Sequence, residues 1–592
     1  MKLFRRLRPR KSVLNDFFVF DTETGVKKNN IITWLLRGRP ENFIFGCIVG
    51  KNYRKQINSV KEFQTEFLHP RYKDKKVFAH NAIYDLNLLY GNIFLLDPHT
   101  IMNGSKFICA TNGNCMFADS MNIYNTSAKK IGAMLGMLKI GMGDSGDYKT
   151  SNWNNKKEYN RDVNGCFRDC EIIYEALFQV FEDAGDIKIT QASLSMTYYR
   201  RFHQPFDIQH NENTAFFFDS YFGGRTEAFQ MGKVNAQVID VNSMYPAVMQ
   251  SALFPDPSKL KVYENPTRKT LNRLLRTCEG LVCADVLHHE RTFGFLPVKN
   301  DGKLLFPCGN FKGTWNFPEF RFALLHGAIK IKKIYRVVAS QPFKSPFAQY
   351  VTHLYKKRFE TSNEIEIYRI KIFMNSLYGK FAQRITEESE YIEDIKEAMP
   401  RIRQLQREGL FISLTPFNPL RNDAWLTTKP TKKVDISFCI PSFASYITSI
   451  ARVNLLKKMI ELEPGNPVSP RNVKYCDTDS IFFENIKNIK SEKQLGGWKL
   501  ESKTVTEIKG LKNYKYKNDG EKTIIHRIKG VPKNAQKITE NSYIYENLVK
   551  TKEGLRRGLE PGILIERKKE ISGKYEKRII LADGSTKPII LK

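Results

Sequence analysis

Two aspartates separated by one residue, Asp477 and Asp479, sit inside the run Tyr475-Cys-Asp-Thr-Asp-Ser480. Val473 precedes them, and Ile481, Phe482 and Phe483 follow, so apolar β-prone segments flank the acids on both sides. This pattern predicts a hairpin with both carboxylates at its tip. Like charges held that close repel, and a divalent cation offsets the repulsion. The motif is read as a Mg²⁺ site, although a polar hairpin turn without an ion uses the same residue types.

The chain has 592 residues, which favours several domains, and its 41% hydrophobic content is enough for buried cores. Lys and Arg number 94 against 62 Asp and Glu, a formal net charge of +32. An excess of that size points to a polyanionic partner, nucleic acid first, because basic side chains displace counterions from phosphates. The ten cysteines contain no Cys-x-x-Cys pair, which argues against a zinc ribbon; their scatter argues against a disulfide scaffold and fits a reducing compartment. No apolar run is long enough to cross a bilayer, so no membrane partner is expected; Pro441 and several serines interrupt the stretch from Ile436 to Ile450. The basic, acid-free segment from Met1 to Lys11 looks like a mitochondrial presequence, but a strand-like run begins at Phe17, and a basic arm touching DNA or solvent is the simpler reading.

Phe17 to Phe20 form a short apolar run ending in Asp21-Thr-Glu23-Thr24. Residues 21 and 23 project to one side of an extended chain, so two carboxylates share a face at a strand end. A second strand start, from Val77, runs into Asn81, Tyr84 and Asp85, and Asp169 lies in a stretch with helical apolar spacing. Four acids on separate elements can hold two Mg²⁺ about 3.5–4 Å apart, one activating water and the other stabilising a leaving 3′ oxygen. The order of Asp21, Glu23, Asp85 and Asp169 resembles the DEDD class of 3′–5′ exonucleases, in particular the editing domain of family B DNA polymerases. That family usually has a Tyr four residues before the last Asp; here the position is Gly165, and the nearest candidate, Tyr159, is wrongly spaced.

Downstream, Val238-Ile-Asp240 is a strand tip followed by Ser243-Met244-Tyr245-Pro246. Asp240 would supply a metal ligand, the next backbone N–H groups would face an anion, and the Tyr245 ring could pack against a sugar. Lys371, Asn375 and Tyr378, spaced i, i+4 and i+7, share one helix face, with Gly379 at the expected helix stop. Together with the Asp-Thr-Asp hairpin, these segments match the three polymerase motifs of family B. The resemblance implies that Asp240 and Asp479 bind two Mg²⁺, with Mn²⁺ as an alternative. Asp477 would support them, and Lys371 would neutralise the phosphates of an incoming dNTP.

Shorter motifs are similar to those of the protein-primed branch, found in some phages, linear plasmids and adenoviruses. Tyr221-Phe-Gly223-Gly224 looks like its linker motif, Thr448-Ser-Ile-Ala-Arg452 like its Thr-x₂-Ala-Arg motif, and Lys512-Asn-Tyr514 like its Lys-x-Tyr motif; all would touch DNA. Ser120, Met121 and Tyr124 resemble a single-strand-binding motif, with Thr24, Asn81 and Tyr84 at a frayed 3′ end. The implied fold class is α/β and α+β multidomain. A ribonuclease H-like 3′–5′ exonuclease domain (1–189) would precede a right-hand polymerase: palm (190–251 and 441–545), fingers (347–382) and thumb (546–592). A first insertion (252–346) would bind the terminal protein. It contains Gly313-Thr-Trp315, Phe317-Pro-Glu319 and the strand-like alternation of Ile329 and Ile331 with lysines. A second insertion (383–440) would drive strand displacement, with Pro400 breaking or restarting its helix.

The implied function is protein-primed, DNA-directed DNA synthesis with proofreading of a linear viral or plasmid genome. Its partners would be primer-template DNA, dNTPs, a terminal protein and a single-stranded DNA-binding protein. A monomer is expected, in the cytoplasm of a host or in a mitochondrion if plasmid-borne. Initiation from a nucleic-acid primer or from none is the alternative within enzymes; an inactive DNA-binding scaffold is the alternative outside them. Two signals are discounted: Gly141-Met-Gly-Asp-Ser-Gly146 lacks a following helical pattern, and His288-His-Glu290 is expected at the surface.

Overall fold

The computed structural model describes residues 1–8, 14–24, 43–104, 106–140, 155–384, 387–417, 422–429, 439–467, 469–486, 489–532, 535–549, 551–557, 564–571 and 574–592. The glycine-rich stretch 141–146 lies outside them.

Phe17, Val19 and Asp21 alternate with Phe18 and Phe20, and both sets of apolar side chains are buried. They belong to β1 (Phe17–Thr24), an inner strand, third in a seven-stranded sheet. Next come β2 (Phe43–Gly50), β3 (Tyr53–Ile57), β4 (Lys76–Ala79), α1 (Ala82–Tyr90), β5 (Ile101–Asn103), β6 (Lys106–Thr111) and β7 (Met116–Asp119). The sheet order is β3-β2-β1-β4-β7-β6-β5, with β1 antiparallel to β2 and parallel to β4. Helix α2 (Lys156–Ala184) covers the face carrying Phe17 and Val19, while Phe63, Phe67 and Phe117 cover the face carrying Phe18 and Phe20. A strand buried on both faces reads as a continuous apolar run. It also places Asp21 and Glu23 under α2.

Residues 2–4 form a short strand against 208–210 with Phe4 buried, so the backbone of the first residues is anchored while Lys2, Arg5, Arg6 and Arg8 stay exposed. The chain then enters a second seven-stranded, antiparallel sheet. β8 (Thr226–Ala228) and β9 (Gly232–Val241) lead into helix α3 (Met244–Ser251). Helices α4 (Glu364–Ser376) and α5 (Pro441–Leu462) come later in the chain. They precede β10 (Val473–Asp477), β11 (Ser480–Phe483), β12 (Trp498–Gly510), β13 (Asn513–Asn518) and β14 (Ile525–Ile528). The order β8-β10-β11-β9-β12-β13-β14 sets the tip of β9 beside the β10–β11 turn.

Between α3 and α4 stands a five-stranded sheet built from Lys261–Glu264, Ile329–Ser340, Glu279–His288, Cys308–Asn316 and, in parallel, Ile590–Leu591. It is not a freestanding unit: Val282, Trp315 and Phe320 share one core with Ile239, Val473 and Ile481 of the second sheet. Between α4 and α5, three strands (Glu388–Ile392, Phe411–Pro416, Ala424–Lys429) carry the helix Ile395–Arg407.

Four expectations are corrected. Pro400 neither breaks nor restarts its helix, which runs through it because Ile395, Met399, Ile402 and Leu405 pack on the sheet. Helix α4 stops at Ser376, before Gly379, and Tyr378 opens a separate 3₁₀ turn, Tyr378–Ala382. His288 is buried, its Nε2 accepting from the Phe295 N–H at 3.0 Å and its Nδ1–H donating to the His289 carbonyl at 2.7 Å. Residues 574–592 do not stay with the hairpin Ser542–Leu548/Leu564–Glu570. They return to the second sheet, where Arg578 is fully buried against Glu227.

Candidate active sites

At the end of β1, the carboxylates of Asp21 and Glu23 face helix α2, and Asp85 enters from the first turn of α1. The Thr22 hydroxyl and N–H both donate to one Asp85 oxygen, at 2.6 and 3.1 Å, which fixes that side chain. Burial and the neighbouring acids Glu23, Asp85 and Asp169 push the Asp21 carboxyl well above the usual range. Burial pushes Asp85 up to about 7 despite the Thr22 bonds that oppose the rise. A buried carboxyl raised by three neighbouring acids is the environment a cation relieves. Lys139 was not anticipated: its Nζ lies 2.6 Å from Asp169 Oδ2 and supplies a positive charge that opposes the rise of Asp21 and Asp169. Only proximity reveals it, since nothing near it in sequence marks a site.

A Cβ on Gly165 would stand 2.6 Å from the Ile140 carbonyl oxygen, so the segment bearing Lys139 occupies the space a side chain would need. Tyr159 points elsewhere, accepting from Gln56 Nε2 at 2.7 Å and packing on Phe45. Thr24 Oγ1 and the Tyr84 hydroxyl lie 2.8 Å apart. Asn81 is exposed in a left-handed conformation at the start of α1, its N–H donating to Asp119.

In the second sheet, Asp240 ends β9 directly opposite Ser480, and the Val241 N–H donates to the Asp479 carbonyl at 2.9 Å. Burial and the Asp479 charge push Asp240 up to about 7; burial and Asp477 raise Asp479. Thr478, between the two acids, has φ 63°, and a Cβ on Gly224 would meet its hydroxyl at 2.6 Å. The second glycine of Tyr221-Phe-Gly-Gly therefore lets the linker lie against the acidic turn. Asp477 is held by Thr226 Oγ1 at 3.1 Å and faces Lys512 Nζ at 3.3 Å.

Ser243 takes a left-handed conformation (φ 57°) that starts α3 and puts Met244 and Tyr245 in its first turn. The rings of Tyr245 and Tyr378 lie 4.6 Å apart at 44°, joining α3 to the turn after α4. Lys371 and Asn375 are exposed on α4. Burial, then Arg358 and Lys130, lowers the Lys371 ammonium below its usual value. Arg358, also unanticipated, reaches Ser243 Oγ at 3.4 Å. Lys371 and Arg358 thus bring positive charge beside the α3 N-terminus, an arrangement suited to a polyphosphate.

Several residues expected to touch DNA are placed differently. Thr448 and Arg452 are buried; Arg452 donates to the Phe222 and Gly223 carbonyls at 2.6 and 2.9 Å and pairs with Glu319 at 2.6 Å. Arg452 holds the glycine linker from behind and offers no surface to a strand. Ser120 and Tyr124 are buried too, Ser120 against His80 at 2.8 Å and Tyr124 donating to the Ala176 carbonyl at 2.8 Å; Met121 is partly exposed. Tyr514 is buried against Tyr475 and Phe482, while Lys512 and Gly223 are exposed near the acidic turn.

A family model described as DNA polymerase type B, organellar and viral, matches residues 58–414. The DNA-directed DNA polymerase of Enterobacteria phage PRD1 is 24% identical over 504 residues, 84% of this chain and 82% of that protein. A probable DNA polymerase of Neurospora intermedia is 25% identical over 394 residues, 60% of this chain and 37% of that one. In fold, the chain is similar to Phi29 DNA polymerase solved with primer-template DNA and incoming nucleotide, with a TM-score of 0.64 at 16% identity, covering 94% of this chain and 99% of that one. With the family match spanning more than half of its residues, this chain belongs to the type B DNA polymerases of organelles and viruses.

Proposed function

We propose that the chain copies a DNA template at the Asp240–Asp479 site, removes mispaired 3′ ends at the Asp21–Glu23–Asp85–Asp169 site, and starts synthesis on a terminal protein. The observation that carries the reading is the meeting of Asp240 and Asp479, 239 residues apart in sequence (479 minus 240), at the shared edge of β9 and the β10–β11 turn. Two partly buried carboxyls, both raised by burial and by a neighbouring aspartate, suit divalent cations, and type B polymerases use them. Two Mg²⁺ held there, or Mn²⁺ in their place, would activate the attacking hydroxyl and neutralise pyrophosphate as it leaves.

The chain's own groups do the rest. Arg358 and Lys371 neutralise the incoming phosphates, and the first N–H groups of α3 face them. The Tyr245 ring, braced by Tyr378, would exclude a ribose 2′-hydroxyl. Lys512 holds Asp477 and keeps the hairpin tip in place. A bond forms between the 3′ oxygen and the α-phosphorus, the α–β phosphoanhydride breaks, and the hydroxyl proton leaves to solvent.

Protein priming draws support from the Tyr221-Phe-Gly-Gly linker, from the five-stranded insertion before α4, and from similarity to a phage polymerase and to the Phi29 fold. We assign 1–189 to editing, 252–346 to terminal-protein binding and 383–440 to strand displacement. Labelled dATP, Mg²⁺ and a candidate terminal protein are mixed with the enzyme, beside a primed single-stranded template. A labelled protein–nucleotide adduct is expected. Extension of the DNA primer without any adduct favours nucleic-acid priming, and no incorporation in either tube refutes the polymerase reading.

A further inference from the structure

Cys166 adds a thiol to the carboxylates of the editing site. One ligand atom each from Asp21, Glu23 and Cys166 lies within 4.8 Å of the other two. Around a tetrahedral ion with bonds of about 2.0–2.3 Å the donors stand about 3.3–3.8 Å apart, so a closure of about 1 Å lets one ion touch all three. The thiol is held there by the fold. Cys166 lies on α2 one turn before Cys170, and Cys47 on β2 stands directly opposite Asp21. Cys166 Sγ is 3.7 Å from the Asp21 carbonyl, Cys170 Sγ is 3.5 Å from that of Cys47, and all three thiols are buried. Cutting DNA with Mg²⁺ needs only hard oxygen ligands; a sulfur donor adds nothing for Mg²⁺ and much for a softer ion.

We propose that Asp21, Glu23 and Cys166 form a site for a thiophilic divalent cation of the Zn²⁺ or Cd²⁺ type, which excludes Mg²⁺ and arrests 3′ degradation. The arrest rests on the editing reading above; the binding does not. On binding, the Cys166 S–H bond breaks, a sulfur–metal bond forms and the proton passes to solvent, with no change of oxidation state. Two carboxylates and one thiolate bring three negative charges to a doubly positive ion. The centre is left net negative and attracts a DNA phosphate poorly.

The full chain, free of DNA and Mg²⁺, is titrated with Cd²⁺ while the ultraviolet thiolate-to-metal absorption band is followed. A saturating band is expected in the native protein and in C109S, whose lost thiol is on β6. C166S is expected to lose the band, with folding checked by thermal melting. E23Q keeps all ten cysteines and is expected to bind Cd²⁺ at least tenfold more weakly, so the idea stays testable if C166S misfolds. An unchanged band in C166S, or unchanged affinity in E23Q, overturns the site. In a second arm, Zn²⁺ is added at fixed Mg²⁺ and a 3′-labelled strand is followed. A protein that shows the band yet never degrades DNA with Mg²⁺ alone refutes the editing reading and leaves the metal site standing. One that degrades DNA but shows no band refutes the metal site.

Discussion

Where a Cβ would stand on Gly165, the carbonyl oxygen of Ile140 lies 2.6 Å away. The residue next to Ile140, Lys139, holds Asp169 by its ammonium group. Gly165→Ala would push this segment off α2 and drag the ammonium away from the carboxylate. Displacing a catalytic group by about 1 Å costs on the order of 10²-fold in rate. We expect a loss of that order in single-strand 3′ degradation with nucleotide incorporation intact, measured on one preparation.

The two carboxylate sites are separate in the fold, so they fail separately. Asp479→Ala is expected to abolish incorporation and keep 3′ degradation of a mismatched primer, and Asp21→Ala the reverse. Gel assays of both activities on both variants check this. Simultaneous loss in a folded Asp479→Ala protein would contradict it.

Asp240 gives a pH dependence with a defined sign. Its carboxyl is pushed up to about 7 from the usual 3.8, so without metal it keeps its proton at pH values where the unfolded chain has lost its own. The native state binds more protons in that window. The stability it contributes is present below about pH 4 and lost as pH rises through about 7. In a chelator, the melting temperature is expected to fall across that window, and Asp240→Asn to flatten the fall. Metal affinity runs the other way, since only the ionised carboxylate binds; half-maximal Mg²⁺ for incorporation is expected to drop between pH 6 and 8.

Arg358 touches Ser243, at the N-terminal end of α3, and lies beside Lys371. Removing one charge-assisted contact weakens binding by about 1.5–3 kcal/mol, or roughly 10- to 100-fold. Arg358→Ala is expected to raise KM for dNTPs by that order, with a smaller change in kcat. Steady-state incorporation at varied dNTP measures it.

Arg578 and Arg225 share Glu227 in a fully buried cluster under β8. Taking one partner from a buried ion pair leaves a charge uncompensated, about 3–5 kcal/mol. Glu227→Gln strands both guanidiniums and is expected to lower stability by that order in denaturant unfolding, although Glu227 belongs to neither carboxylate site.

What the sequence disclosed follows from local physics. A strand tip puts alternate side chains on one face, so Asp21 with Glu23 and the Asp477–Asp479 hairpin could be read from spacing alone. Lys139 and Arg358 could not, because each reaches its partner across elements whose packing no short motif encodes. Arg452 shows the converse: its motif was visible, but only the fold reveals that its guanidinium is turned inward to Glu319 and the Phe222–Gly223 backbone. Pro400 was misjudged because helix propensity lost to the packing of Ile402 and its neighbours on a sheet.

The parallel pairing of Cys308–Gly309 with Ile590–Leu591 orders events during synthesis. The strand at 308–316 leaves the ribosome first, and its outer neighbour follows 282 residues later (590 minus 308). Until then that border of the sheet stands open, with unpaired amides available to another nascent copy. A chaperone that shields open sheet borders would be needed most before translation reaches residue 590.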